Sequence, residues 1–303
     1  MQQRVVVNGA ENHLGRRVLA GISNCGWALA TAVNSGDSTA LAAALSGAQA
    51  VVNCAVGSAG GIALAARTLL EVRPLPADLQ IIHLGSMTVY GSTEGWVDES
   101  SATRADLGDY AAAQLAAETT VATHPGTVIL RLGVEYGPGC PAWTDRVARW
   151  LLAGRLGDLG TQGDGTCNLV FIDDLVAIVL RVLRMGGLGG QIFNVAQSCK
   201  PTWNEYFTQF AIALDAVPVR RISSRRLQVE SKILAVPLKM AELGASWSGI
   251  GRNRIPPPIT PSLLQTCRQE VWLSGLKGEQ TFSVTWTPLG EGLQSCADAI
   301  RQA

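Results

Sequence analysis

Short apolar runs alternate with helical patterns through the first two thirds of the chain. Val5–Asn8 reads as a strand that stops at Gly9, and His13–Asn24 as a helix closed by Cys25-Gly26, where glycine suits a C-terminal cap. The same alternation continues with strand Ala28–Val33, helix Asp37–Leu45, strand Ala50–Cys54, helix Ile62–Val72 and strand Leu79–Leu84. Helix Tyr110–Thr123, strand Thr127–Leu132, helix Asp173–Met185 and strand Ile192–Val195 follow. The strands are apolar throughout instead of alternating, which predicts a parallel sheet covered on both faces. Strands that take turns with helices predict right-handed βαβ units. Beyond about residue 200 the pattern turns helical, with Trp203–Leu214, Arg225–Leu243 and Leu289–Arg301, and Pro256-Pro257-Pro258 breaks the chain between the last two.

One turn carries candidate chemistry. Between the first strand and the first helix stands Gly9-Ala10-Glu11-Asn12-His13-Leu14-Gly15. In a nucleotide-binding βα unit this is where a pyrophosphate meets a helix N-terminus. Gly9 permits the tight turn and Gly15 close packing of helix on strand. The middle place, where glycine would let the backbone approach phosphates, is Asn12. The end of the second strand, Val33-Asn34-Ser35-Gly36, offers neither an acid for a ribose nor an Arg for a 2′-phosphate. Asn34 and Asp37 are the polar candidates there, and Asp37 also suits the N-cap of the next helix.

The later segments resemble the extended short-chain dehydrogenase/reductase superfamily, in its NAD-dependent epimerase/dehydratase group. Ala48–Ala55 is similar to the family's fourth strand, whose end, Ala55-Val56 here, lies under the cofactor. His83-Leu84-Gly85-Ser86-Met87-Thr88-Val89-Tyr90-Gly91 is similar to the strand with the catalytic Ser, and Tyr110–Glu118 to the catalytic helix. Arg131-Leu132-Gly133-Val134-Glu135-Tyr136-Gly137-Pro138-Gly139 is similar to the stretch bordering the substrate. Phe171–Leu175, Phe193–Val195 and Trp286–Leu293 match further landmarks in order.

The resemblance implies a Rossmann-like doubly wound parallel sheet with a smaller, mostly helical C-terminal lobe. Residues 1–165 would form the dinucleotide-binding core, 166–198 would return to it, and 199–303 would bind substrate. It implies Ser86, Tyr110 and Gln114 as catalytic residues, and Met87, Thr88, Gly133, Val134 and Tyr136 against the substrate. The nucleotide, NAD or NADP, would meet Gly9, Ala10, Asn12, His13, Leu14, Gly15, Asn34, Asp37, Ala55 and Val56. It also implies a homodimer joined through the Tyr110 helix.

Three positions depart from the family. Asn12 replaces a glycine. Val134 stands where nucleotide-sugar enzymes often have Asn. Gln114, four residues after Tyr110 and on the same helix face, stands where the family has a Lys that binds the nicotinamide ribose and lowers the Tyr pKa. Gln hydrogen-bonds a ribose hydroxyl but brings no charge. An unperturbed Tyr titrates near pH 10, so a neutral Tyr110 is a poor base and a usable acid. The expected chemistry is carbonyl reduction of a small, largely apolar metabolite with Tyr110 as proton donor. Two alternatives stand beside it: a non-redox dehydratase, isomerase or cyclase with weakened dinucleotide binding, and a non-catalytic nucleotide-sensing protein.

Composition narrows the remaining classes. The chain has 303 residues, 47% hydrophobic and 16% charged, with 24 Lys plus Arg against 24 Asp plus Glu. That supplies a large core and no global footprint for nucleic acid. No run approaches the roughly 18 apolar residues of a membrane span, and no signal-peptide pattern opens the chain. Seven single cysteines without a CxxC pair read as reduced thiols, hence a cytoplasmic setting. His13, His83 and His124 have no ligand spacing, so no metal is expected. Arg220, Arg221, Arg225, Arg226 and Lys232 form a cationic stretch opposed only by Glu230, which reads as a solvated face. Trp203, Trp247, Trp272 and Trp286 read as core or as lining of an apolar pocket.

Overall fold

The structure, a computed structural model, describes residues 3–54, 56–72, 75–76, 78–229 and 259–302. In chain order its principal elements are β1 (Gln3–Asn8), α1 (His13–Asn24), β2 (Ala28–Val33), α2 (Ser38–Leu45), β3 (Ala50–Asn53), α3 (Ala59–Glu71) and β4 (Gln80–Ser86). After these come β5 (Gly95–Val97), α4 (Asp109–Val121), β6 (Thr127–Leu132), β7 (Val134–Tyr136), α5 (Arg146–Leu152), β8 (Leu169–Phe171), α6 (Ile172–Arg184), β9 (Ile192–Val195) and α7 (Trp203–Ala213). Later helices include Ser224–Val229, Pro261–Arg268, Leu276–Phe282 and Leu289–Gln302.

Two compact units share the chain. The first takes Met1–Glu135, Val170–Ser198 and Leu273–Trp286, and the second Tyr136–Leu169, Cys199–Trp272 and Thr287–Ala303. The sequence had put everything to residue 165 in one body and everything from 199 in the other. The segment 136–165 instead clusters with the helical unit. The segment 273–286 returns to the sheet, where Lys277 Nζ donates to the Ile192 carbonyl at 2.8 Å.

The first unit holds one sheet in the order β2-β1-β3-β4-β6-β9, and each neighbouring pair is parallel. β1, β3 and β6 are buried along almost their whole length, which is why they read as continuous apolar runs. Helices α1 and α6 cover one face and α2, α3 and α4 the other. The strand resembling the family's fourth is third here, because α2 alone separates it from β2. In this order the winding reverses between β1 and β3, and open α/β sheets bind ligands outside the carboxyl ends at such a point.

A polar ladder crosses that end of the sheet. Asn8, Asn53 and His83 face one another in register on β1, β3 and β4. Asn8 Nδ2 donates to Asn53 Oδ1 at 2.9 Å, and the Asn53 amide lies 3.1 Å from His83 Nδ1. An amide N–H donates, so Nδ1 accepts and the ring carries its hydrogen on Nε2. Burial pushes the His83 pKa down to about 4, and the ring is neutral at pH 7.

A second buried network fixes α4. Arg131 on β6 donates from Nε to Glu118 Oε2 at 3.0 Å and from its other amino group to Glu118 Oε1, while Nη1 reaches Tyr90 Oη at 2.8 Å. Tyr90 passes its own hydrogen to Asn194 Oδ1 at 2.7 Å.

The second unit packs an aromatic cluster. Tyr206 stands edge-on to Tyr136 and Trp203, and Trp203 tilts against Trp143. α7 begins with a capping box, Thr202 with Glu205. Arg220, Arg221, Arg225 and Arg226 are exposed, as the cationic stretch suggested. Lys232, Trp247, the triple proline and the helix expected from 225 to 243 beyond Val229 lie outside the described residues. No disulfide joins any of the seven cysteines; five of them are buried and Cys199 is exposed. No helix among the described residues is long and apolar enough to cross a membrane.

Candidate active site

At the carboxyl end of β1 the chain turns at Gly9, whose φ of +88° favours glycine, and a Cβ there would stand 2.6 Å from the Cys54 carbonyl oxygen. A Cβ on Gly15 would lie 2.0 Å from the Gly9 oxygen. Both glycines are therefore required by close backbone approach, as the turn reading expects. Asn12 is the N-cap of α1: its Oδ1 accepts from Gly15 N at 2.8 Å. Its Nδ2 donates to the Cys54 carbonyl, also at 2.8 Å. Asn12 thus binds the turn to the end of β3 and uses one of the N–H groups that a helix start leaves open.

The flanking candidates divide by burial. Ala10 and Leu14 are core side chains, so any contact with a ligand is through their backbone. His13 is half-buried, with Nε2 3.9 Å from Glu135 Oε1. Its pKa lies below the ordinary value, from burial first and then from Arg17 and Arg16, so the ring is neutral at pH 7. Asn34 is exposed. Asp37 is the N-cap of α2, its Oδ1 accepting from Ala40 N at 2.9 Å. Val56 is half-buried after β3, and Ala55 lies outside the described residues.

β4 ends at Ser86, which opens a 3-10 turn over Met87–Tyr90. Ser86 Oγ accepts from Thr88 N at 3.2 Å and from Thr88 Oγ1 at 3.0 Å. Ser86 also acts on the Tyr110 hydroxyl, whose pKa it lowers. Tyr110 and Gln114 meet as the four-residue spacing requires, Gln114 Nε2 donating to Tyr110 Oη at 3.0 Å. Tyr110 is 41% exposed and Gln114 only 1%, so the donor that holds the hydroxyl is itself buried. Gln114 Oε1 is buried with no partner among the described residues.

Burial dominates the titration of Tyr110 and raises its pKa. The bonds from Gln114 and Ser86 offset part of this, and Glu135 adds to the rise. With burial and the Glu135 carboxylate outweighing the donated bond, the phenol keeps its proton at neutral pH.

Met87, Thr88, Gly133 and Val134 are half-buried around this end of the unit, and Gly133 N donates to the Val195 carbonyl at 2.9 Å. Tyr136, expected against the substrate, has its ring buried in the aromatic cluster of the second unit. Of the tryptophans, Trp203 is core, Trp272 is half exposed, and Trp286 bonds Glu279 at 2.7 Å.

One residue of this region escaped the sequence reading. Glu11 reaches from the glycine turn to the end of β2, where its Oε2 accepts from Ser35 N at 3.1 Å. The signal was an acid inside the turn coupled with the lack of one at the end of β2.

A doubly wound parallel sheet with Ser86, Tyr110 and a glycine turn at its carboxyl ends is built as in the extended short-chain dehydrogenase/reductase superfamily. Residues 23–196, more than half of the chain, match the model of the NAD dependent epimerase/dehydratase family, and the chain belongs to that family. No curated protein matches by sequence. Solved structures share the fold at low identity. UDP-glucuronic acid 4-epimerase from Bacillus cereus in complex with NAD is 16% identical over 99% of each chain, with a TM-score of 0.73. MoeE5 in complex with UDP-glucose and NAD is 18% identical over 99% of each chain, also at 0.73. The human epimerase family protein SDR39U1 (isoform 2) with NADPH is 16% identical over 98% of this chain and 99% of that one, at 0.74.

Proposed function

We propose that this chain is an NAD(P)-dependent enzyme that reduces a carbonyl group of a small, largely apolar metabolite, with Tyr110 as proton donor. The observation that carries the reading is the uncharged setting of the Tyr110 hydroxyl, where Gln114 donates a neutral hydrogen bond and burial raises the pKa. A dinucleotide fits the residues present. Gln114 Oε1 is a buried acceptor in want of a donor such as a ribose hydroxyl, and the turn from Gly9 to Gly15 sets the N-terminus of α1 at the carboxyl end of β1. The family name and the nucleotides of the structural neighbours support the same ligand.

When bound, the nicotinamide supplies the hydride. The chain's own residues do the rest. The glycine turn and the start of α1 hold phosphates, with Ala10, Asn12, His13, Leu14, Ala55 and Val56 along the course and Asn34 and Asp37 at its far end. Ser86 gives its hydroxyl hydrogen to the substrate carbonyl oxygen. Tyr110 then gives its proton to that oxygen as negative charge builds there. Met87, Thr88, Gly133 and Val134 border the substrate, and Val134 favours one without a diphosphate. Alcohol oxidation needs Tyr110 as a base, and its raised pKa opposes this. A homodimer through α4 completes the reading.

A non-redox dehydratase, isomerase or cyclase is favoured by one observation, the Asn12 side chain that takes the Gly15 N–H. Titration of the protein with NADH and NADPH, read by nicotinamide fluorescence and thermal shift, separates the two. Binding in the micromolar range followed by turnover in a carbonyl screen supports the reductase. No binding at millimolar dinucleotide sinks it and leaves the non-redox enzyme.

A further inference from the structure

Resting on the dinucleotide reading above, we infer that Glu11 is the residue that selects NAD over NADP, standing in from the glycine turn for the acid that β2 lacks. In doubly wound folds an acid about twenty residues past the turn bonds the adenosine ribose 2′-hydroxyl, or an Arg accommodates a 2′-phosphate. Here the end of β2 reads Asn34-Ser35-Gly36, and Asp37, the nearest acid, caps α2. Glu11 fills the gap from the other side. β1 and β2 run parallel with Asn8 opposite Val33, so the residues just past each strand lie side by side. Glu11 Oε2 takes the Ser35 N–H at 3.1 Å.

The chemistry of the group follows. A carboxylate only accepts hydrogen bonds. With Oε2 held by Ser35 N, Oε1 is left to accept from a ribose hydroxyl. A 2′-phosphate has no hydrogen to give at neutral pH and brings like charge, so it meets repulsion where the diol meets an acceptor.

The cations nearby are accounted for. Arg17 is paired with Asp173. Arg16 is exposed and spends one Nη donor on the backbone carbonyl of Glu11 at 2.6 Å, not on its carboxylate. Arg16 is the one group here that draws a phosphate, and the Glu11 carboxylate opposes it. Glu11 makes no ion pair among the described residues.

The test is calorimetric titration of the whole chain with NADH and with NADPH, for the natural protein, Glu11→Gln and Glu11→Ala. Both changes are at an exposed position, and thermal denaturation confirms folding. The inference expects the natural protein to bind NADH at least about tenfold tighter than NADPH, a free-energy difference of about 1.4 kcal/mol. Both variants should bring the two affinities within about threefold or reverse them, chiefly through tighter NADPH binding toward Arg16. Equal affinities in the natural protein, an NADPH preference, or an NADH preference that both variants keep would overturn the role of Glu11 while the dinucleotide reading stands. No binding of either nucleotide by any of the three proteins would overturn both.

Discussion

Replacing Glu118 by Gln keeps the shape of the side chain and removes one charge from a pair buried on both sides, Glu118 being 5% exposed and Arg131 4%. The guanidinium stays charged in any protein setting. Without the carboxylate it keeps a single oxygen acceptor from the amide, the Tyr90 hydroxyl at 2.8 Å and the face of the Tyr90 ring at 4.8 Å. Removing one partner of a buried pair costs about 3–5 kcal/mol because the other charge is left uncompensated. The retained amide oxygen puts the expected loss at the lower end, about 3 kcal/mol. At roughly 2–4 °C per kcal/mol for chains somewhat shorter than this one, the midpoint of the transition that includes α4 should fall by about 6–12 °C at most. Far-UV circular dichroism during heating and urea unfolding measures both quantities. A paired change, Glu118→Met with Arg131→Met, fills the same space without charge and should recover most of the loss. The account is refuted if Glu118→Gln lies within about 1 kcal/mol of the natural protein, since the pair would then not be the anchor of α4 on β6.

The remaining predictions concern chemistry and pH. Tyr110→Phe should cut carbonyl reduction by about a hundredfold or more while leaving the NADH dissociation constant within a few-fold; equal losses of both would assign Tyr110 to binding alone. Gln114→Lys restores a cation beside Tyr110 and, by shifting the phenol down one to three units, should raise alcohol oxidation at pH 7 at least about tenfold, and an unchanged pH–rate profile would count against the neutral-phenol argument. His83 carries a folded pKa of about 4 against about 6.5 unfolded. Below pH 6.5 the unfolded chain binds the extra proton, so stability is constant above that pH and falls as pH drops from about 6.5 to 4, by about 3 kcal/mol from this group. Urea unfolding of the natural protein and His83→Gln over that window should show this slope in the first and not in the second.

How far the sequence carried depended on the kind of interaction. The six sheet strands were legible because burial on both faces makes them apolar throughout, and β2, an edge strand with exposed Leu29, was still marked by its apolar content. Ser86, Tyr110 and Gln114 were legible because a strand end and a four-residue helical spacing bring them together. Glu11 and the second bond of Asn12 were not. They join polar side chains to backbone 24 and 42 residues away, and no local period registers such contacts. Asp37 carried two readings, and the backbone bond to Ala40 N makes it a cap. The burial of Tyr136 was not legible, because a match to a landmark says which residue stands near a ligand-bordering stretch, whereas packing decides which way its ring points. The return of 273–286 to the sheet was hidden for a similar reason: β9 recruits it through Lys277, and α6 through the Arg181 contacts with Phe282 and Ser283, none of which follows a pattern along the chain.

The ladder of Asn8, Asn53 and His83 has a consequence for assembly. Apolar neighbours on a parallel sheet tolerate sliding, since one Val facing another is worth much the same two places along. Amides do not. A slip of two residues displaces a strand by about 6.6 Å, which parts the ladder and strands its polar groups at about 1–3 kcal/mol each. A slip of one turns them to the opposite face. Two rungs lie directly before Gly9 and Cys54, and His83 lies three residues before Ser86 on β4, so they index three strand ends against one another. Misaligned sheets are thereby penalised at the edge where a fraction of a residue's offset would pull the glycine turn away from Ser86.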